Sequence, residues 1–565
     1  MPQPANHLFH VMLRCDGIQG EIQDFKMPMW HPGYYRIIDY PKNVSNFRAE
    51  DGSGQTLGWE KTTKNTWRVA TGNASAVILT YDVLGTTAFG AQNFLGENRA
   101  YIAPTGMFLH PAGKIQLPAT VTIQAPANWK HIANGLDPVP GRPNTFSASD
   151  FDLLYDCPIL MGNQETLQFE VDGVPHEIVI ENIPSAVDRN NIKHDLAKLV
   201  RTATRLIGDI PYRHYTFLLM GEGAGGIEHS TSASIAFNGK SLTTDDGYRR
   251  WLSFVAHEYF HTFNVKRIRP LALGPFDYDT ENLTNMLWVS EGLSVYYQDL
   301  LLVRAGLITR EQYLAKLQTS IAQFENLPGR RYQSATESSW NTWGTSGVGN
   351  DRNTTISYYN NGAMLGFILD LAIRHATSNA KSLDDVMRTL YRKYFQQKKR
   401  GFTDSEFRSE CEQIANTHIA DPFMYAETTK EMAYATYLGY AGLDVSVDAR
   451  DATGSWLGVD WQMQDGKLAV VDFADGSPAQ AALRRGDRVE EVDGARATPK
   501  ALNDAMSAHK AGDKIKFKLA RGAETIEAEV ELAKNRKLEY DIQPIASPGA
   551  LESSIFRDWL RTDPQ

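Results

Sequence analysis

The chain has 565 residues, 42% hydrophobic and 22% charged, which describes a globular protein of three or four domains rather than one core. Its 57 basic and 67 acidic residues give a net charge of −10 with no basic block, which argues against nucleic acid as a partner, and no apolar run approaches the roughly 18 residues of a membrane span. Cys15, Cys157 and Cys411 are too few and too scattered for a disulfide framework. They leave the compartment open between cytoplasm and periplasm or secretion, and the start "MPQPANHLFHVML" lacks the features of a signal peptide.

In chain order, residues 1–175 read as a β-sandwich-like domain, with short runs such as "TWRVAT", "AVILTYDVL" and "ATVTIQA" between Gly, Pro, Asn and Asp clusters. Residues 176–449 turn mainly α, with helical periodicity in "IKHDLAKLVRTATRLIG", "YRRWLSFVAHEYFHTFN", "ENLTNMLWVSEGLSVYYQDLLLVRAG" and "ISYYNNGAMLGFILDLAIRHA". Short strands return in residues 450–540, around "DGSPAQAALRRGDRVEEVDG", and residues 541–565 are left as a C-terminal tail. The expected fold is therefore multidomain.

The chemistry concentrates in H-E-x-x-H, residues 257–261. Histidines four apart share a helix face and can aim two ring nitrogens at one metal ion. Glu258 then stands beside the metal-bound water as a general base. A catalytic zinc needs a third protein ligand, and two glutamates compete for the place. Glu281, 20 residues after His261, lies in the loop-like "FDYDTENLT" and suits an exposed first helical turn. Glu291, 30 residues after His261, lies in the apolar "LWVSEGLSVYY", where a carboxylate is costly unless it binds something, and it is chosen.

H-E-x-x-H followed by W-x-x-E-G-x-x-x-Y resembles the gluzincin metallopeptidases. "FKMPMWHPGYYRIIDYPKNVSNF", "NRAYIAPTGMF", "GGIEHSTS", "HEYFHTFNVKRIRP" and "WVSEGLSVYY" narrow the resemblance to the glycyl aminopeptidase family over nearly the whole length. It implies an N-terminal β domain, a thermolysin-like catalytic domain and a C-terminal PDZ domain, in proteins that often begin upstream of the residues present here. It further implies one Zn2+ per chain on His257, His261 and Glu291, with Glu258 as base. By motif, "GGIEHS" carries over Glu228 as the anchor for a free substrate amine, with Ile227 and His229 where relatives have Met and Asn. "YYNNGA" likewise carries over Tyr359 as the donor to the oxyanion, with Asn361 where a lysine is common, while Tyr358 is read as core or wall.

The function implied is a zinc aminopeptidase acting on peptides with a free N-terminus and preferring Gly, then Ala. Tyr259, Phe260, Tyr296 and Tyr297 are candidates to block larger side chains. "SWLGVDWQ" is the expected peptide-accepting strand and loop of the PDZ domain, whose usual glycine before Leu483 is missing. Two other readings stay open: a zinc endopeptidase whose PDZ domain captures substrate, and a binding protein on a dead peptidase, the latter opposed by the intact ligands and base. Arg267 and Arg269 have two open placements, facing the substrate or an acidic neighbour.

Overall fold

A computed structural model describes residues 1, 3–88, 90–344, 349 and 351–563. At the N-terminus, strands Leu8–Asp16, Ala76–Leu84 and Val44–Asp51 form one antiparallel sheet. Trp59–Thr63, Thr66–Ala70, Ile22–Lys26 and His110–Pro111 form another. The inward residues of the two sheets, among them Phe9, Leu79 and Val83 from the first and Phe25, Trp67 and Val69 from the second, share one core. The short run "TWRVAT" is thus a strand that turns Trp67 and Val69 into this core.

The helical region opens on a sheet that periodicity did not reveal. Glu165–Val171, Val174–Glu181, Tyr215–Met220, Ser232–Ala236 and Gly225–Glu228 lie side by side in that order, with Gly225–Glu228 at the edge. Buried strands such as "YTFLLM", all six residues covered, carry no alternation to read. The helices stack against this sheet, and helix Asp245–Phe260 begins where the Thr244 hydroxyl accepts the Gly247 amide at 3.1 Å, with Asp245 and Asp246 in its first turn.

Two further helices meet at glycines. A Cβ on Gly292 would stand 2.4 Å from the Cα of Gly362, and one on Gly362 would stand 2.4 Å from the Trp288 carbonyl oxygen. Only glycine on both sides lets the turn carrying Glu291 touch the helix carrying Tyr359.

The C-terminal domain holds strands Val459–Gln464, Lys467–Phe473, Arg488–Val492, Lys514–Arg521 and Glu524–Glu531 with helix Pro499–Ala508, over a core of Leu468, Val470, Leu483, Val489 and Phe517. "SWLGVDWQ" leads into the edge strand Val459–Gln464. The domain stands on two long antiparallel strands, Leu443–Trp456 and Ala533–Pro544, that pair from Leu443 with Pro544 to Trp456 with Ala533. Arg352 bonds Asp460 at 3.0 Å, and the Asn353 side chain accepts the Asp475 amide at 2.8 Å, which ties the domain to the loop before Tyr358.

The boundaries expected after residues 175, 449 and 540 all fall inside strands, Val174–Glu181, Leu443–Trp456 and Ala533–Pro544. A change in composition does not mark where a hydrogen-bond ladder stops. Residues 541–565, expected as a tail, contain helix Ala550–Trp559, whose Ile555 and Trp559 together with Leu560 are buried in the main helical core. The PDZ domain is therefore an insertion ahead of the last helix of the catalytic body.

Candidate active site

His257 and His261 sit at the end of helix Asp245–Phe260 with their Nε2 atoms 2.9 Å apart. Glu291 enters from the π-helical turn Trp288–Gly292, its Oε2 at 3.1 Å from His261 Nε2 and 3.6 Å from His257 Nε2. Among the described residues these three form the one group of His, Cys, Asp and Glu side chains whose donor atoms, all within 4.8 Å of one another, suit a metal ion. All three are buried. His261 Nδ1 lies 2.6 Å from the Asn264 carbonyl oxygen, so it carries the ring proton of the neutral imidazole and leaves the Nε2 lone pair for the cleft. Asn264 in turn donates to the carbonyls of Val289 and Ser290, at 2.9 and 2.8 Å, and so locks the histidine end to the glutamate turn. Two imidazoles and one carboxylate are a donor set that fits zinc.

Glu291 and the histidines shift one another's titration. Burial works against a protonated His261, yet Glu291 beside it overrules burial and pushes its pKa up to about 10. Burial would raise Glu291, but the histidines, His261 foremost, hold it far below the carboxylate range. Glu281, by contrast, is exposed.

Around this cluster stand the other residues singled out by sequence. Glu258 is buried, and burial pushes its carboxyl well above the usual range. The edge strand Gly225–Glu228 passes directly over it, so closely that a Cβ on Gly226 would lie 2.1 Å from Glu258 Oε1. At the end of that strand Glu228 is buried, and its Oε1 finds no hydrogen-bond partner among the described residues. Tyr359 is the second residue of helix Tyr358–Ala376, half-buried, with its ring centroid 6.1 Å from that of His257. Tyr358 is core, its hydroxyl 3.1 Å from that of Thr342.

The four aromatics that were candidates to close the substrate pocket are held in the core. Tyr259 bonds Tyr212 at 2.6 Å inside the core, Phe260 stacks on Tyr297, and the hydroxyls of Tyr296 and Tyr297 bond Asp370 and Asp384 at 2.6 and 3.0 Å. Arg267 is also structural, donating to the carbonyls of Ser230, Thr262 and Pro211. The Arg269 guanidinium lies 5.5 Å from the centre of the Phe276 ring.

Sequence reasoning passed over four residues. Lys266 is buried, its Nζ 2.8 Å from Asp156 and 3.8 Å from Glu228. Asp156 also accepts the Ser230 amide at 2.7 Å and hydroxyl at 2.6 Å, and lies 3.6 Å from His229, the residue that departs from the family pattern. Gly33 and Tyr35, from the N-terminal domain, touch Glu228 and Glu291 respectively. The one signal for Gly33, Tyr35 and Lys266 was that they lie within the segments carrying the family resemblance.

Comparison with known proteins agrees with this geometry. The Peptidase M61 N-terminal domain matches residues 1–163, M61 glycyl aminopeptidase matches 250–365 and a PDZ domain matches 455–532. No curated protein matches the sequence. Among solved structures, an aminopeptidase N family protein from Idiomarina loihiensis is 26% identical, with 99% of this chain and 98% of that one covered at a TM-score of 0.88. An M1 zinc metallopeptidase from Deinococcus radiodurans is 12% identical, with 75% of this chain and 90% of that one covered at a TM-score of 0.46. The chain thus carries the N-terminal domain of the M61 peptidases over residues 1–163, the M61 glycyl aminopeptidase domain over residues 250–365 and a PDZ domain over residues 455–532.

Proposed function

We propose that this enzyme removes the N-terminal residue of peptides, Gly in preference to Ala and both over larger residues, using one zinc ion on His257, His261 and Glu291. The observation that carries the aminopeptidase reading is Glu228. A buried carboxylate whose Oε1 makes no hydrogen bond among the described residues and has Lys266 Nζ 3.8 Å away, at the end of an edge strand that an extended peptide can continue, is suited to receive a substrate ammonium. An endopeptidase has no use for such a group, since it would face a neutral amide.

Zinc, when bound, supplies a Lewis acid that polarises the scissile carbonyl and acidifies water. Glu258 takes the proton from the attacking water and later delivers it to the leaving amine. Its buried position favours both duties, because a carboxyl raised above its usual range is a stronger base and readily holds the proton between the two steps. The Tyr359 hydroxyl donates to the oxygen that gains charge. Gly226 keeps the strand backbone close enough to Glu258 to press the peptide against the base.

The test is an amino-acid anilide with and without an N-terminal acetyl group, together with metal analysis. Free-amine substrates should be cleaved and acetylated ones should not, by protein holding about one zinc per chain. Equal cleavage of both would support the endopeptidase reading instead.

A further inference from the structure

With Tyr259, Phe260, Tyr296 and Tyr297 turned into the core, the wall that limits the first residue must come from elsewhere. One aromatic side chain reaching the metal cluster belongs to the N-terminal domain, in the stretch M-W-H-P-G-Y-Y-R-I-I, residues 29–38. This stretch is a closed loop, because the Ile38 amide donates to the Met29 carbonyl at 2.6 Å. It is also bolted to the catalytic domain. The Met29 amide donates to the Tyr278 carbonyl at 2.8 Å, the Trp30 indole donates to the Asp277 carbonyl at 2.8 Å, and the Trp30 ring lies among Phe276, Tyr278 and Trp343.

From that base the loop reaches both anchors of the site. Gly33, at φ +90°, lies so near Glu228 that a Cβ there would be 2.7 Å from each carboxylate oxygen. Two residues on, the Tyr35 hydroxyl donates to Glu291 Oε1 at 3.3 Å, while Glu291 Oε2 faces the histidines. Tyr35 is buried, its ring edge-on to Trp343, and its backbone has φ +35°, a left-handed conformation that a bulky residue keeps only where its surroundings impose it.

A bound peptide must span the same interval. Its amine lies at Glu228 and its first carbonyl at the metal cluster, so the Cα between them passes alongside Gly33 and Tyr35. We propose that Tyr35, backed by the Gly33 turn, is the specificity-determining residue that limits the first side chain to hydrogen or methyl. The assignment rests on the aminopeptidase reading above and adds the residue that sets its selectivity. Tyr35 cannot swing aside, since its ring is held by Trp343 and its hydroxyl by Glu291. A larger substrate side chain must displace the buried ring from Trp343 or go unbound.

The test uses the full-length, zinc-loaded enzyme and reads kcat/KM for Gly, Ala and Leu anilides as ratios within each variant, so that a general loss of rate through Glu291 cancels. Tyr35→Val should raise the Leu:Gly ratio by roughly tenfold or more, the range expected when a few methylenes of space are gained. Tyr35→Phe keeps the ring and should keep the wild-type ratio. A Val variant that is folded, carries wild-type zinc and shows the wild-type ratio overturns the assignment. A Phe variant shifted as far as Val also overturns it, by assigning selection to the hydrogen bond on Glu291. Should Val fail to fold, Tyr35→Leu is read in the same way. Acetylated anilides run alongside separate the two levels: if wild-type enzyme cleaves them as well as free ones, the aminopeptidase reading falls and takes the proposal with it, whereas an intact free-amine requirement with an unmoved ratio removes Tyr35 alone.

Discussion

Replacing Trp559 by Ala should cripple the catalytic body even though the residue lies beyond the PDZ domain. Trp559 is fully buried, stands edge-on to Tyr313 at 5.6 Å between ring centres, and donates from its indole to the Tyr296 hydroxyl at 2.9 Å. Truncating a buried Trp costs about 3 to 5 kcal/mol. The Tyr296 hydroxyl, which itself donates to Asp370 at 2.6 Å, loses a donor, for about 1 kcal/mol more. The total, about 4 to 6 kcal/mol, is a large part of the roughly 5 to 15 kcal/mol that holds a domain folded. Thermal unfolding of the zinc-loaded protein should shift down by about 8 °C or more, at some 2 °C per kcal/mol for a body of this size. The contrasting construction joins Trp456 to Ala533, which already face each other on the stalk, through a two-residue turn in place of residues 457–532. That protein should keep the unfolding temperature of the catalytic body. The reasoning fails if Trp559→Ala unfolds within 2 °C or so of wild type, or if excising the PDZ domain is the more damaging change.

Glu258→Ala should retain zinc while hydrolysis falls by about 10²- to 10⁴-fold, and metal analysis beside an activity assay separates the two effects. Tyr359→Phe should lower kcat by about 10²- to 10³-fold with KM little changed; wild-type turnover would remove the hydroxyl from the mechanism. Lys266→Met should destabilise the protein by about 3 to 5 kcal/mol near pH 7, because it strips a buried carboxylate of its cation. Burial would raise Asp156, but Lys266 holds it far below the carboxylate range in the folded chain, so its contribution is present above the unfolded value near 3.8 and lost as pH falls through the folded one. In the variant burial prevails and the folded pKa rises. The deficit against wild type should therefore shrink from pH 7 toward pH 4, and thermal unfolding showing a constant deficit would refute the account.

How much of this was legible beforehand depends on how local each feature is. That His257 and His261 share a helix face follows from 3.6 residues per turn, a property of the backbone that needs no tertiary contact. The choice of Glu291 over Glu281 used burial, which an apolar run such as "LWVSEGLSVYY" announces, and the structure brings Glu291 to the histidines and leaves Glu281 exposed. The PDZ turn segment and the first domain's strands were readable because Gly, Pro, Asn and Asp clusters punctuate them locally. The fully covered strands Tyr215–Met220 and Ser232–Ala236 were not, since a strand buried on both faces has no period. Four aromatics near the ligands in sequence were candidates to line the pocket, and all four pack into the core. In their place Tyr35 arrives from 256 residues away in sequence to touch Glu291. Trp559 comes from 263 residues away to touch Tyr296. By itself, then, the sequence determined the family chemistry, the helix-borne metal motif and the order of the parts. The tertiary structure alone decided that Tyr35 reaches Glu291 and that the last helix packs into the main helical core. Periodicity reports only which face of an element is buried, whereas the partner on that face is chosen by packing among segments the chain has carried far apart.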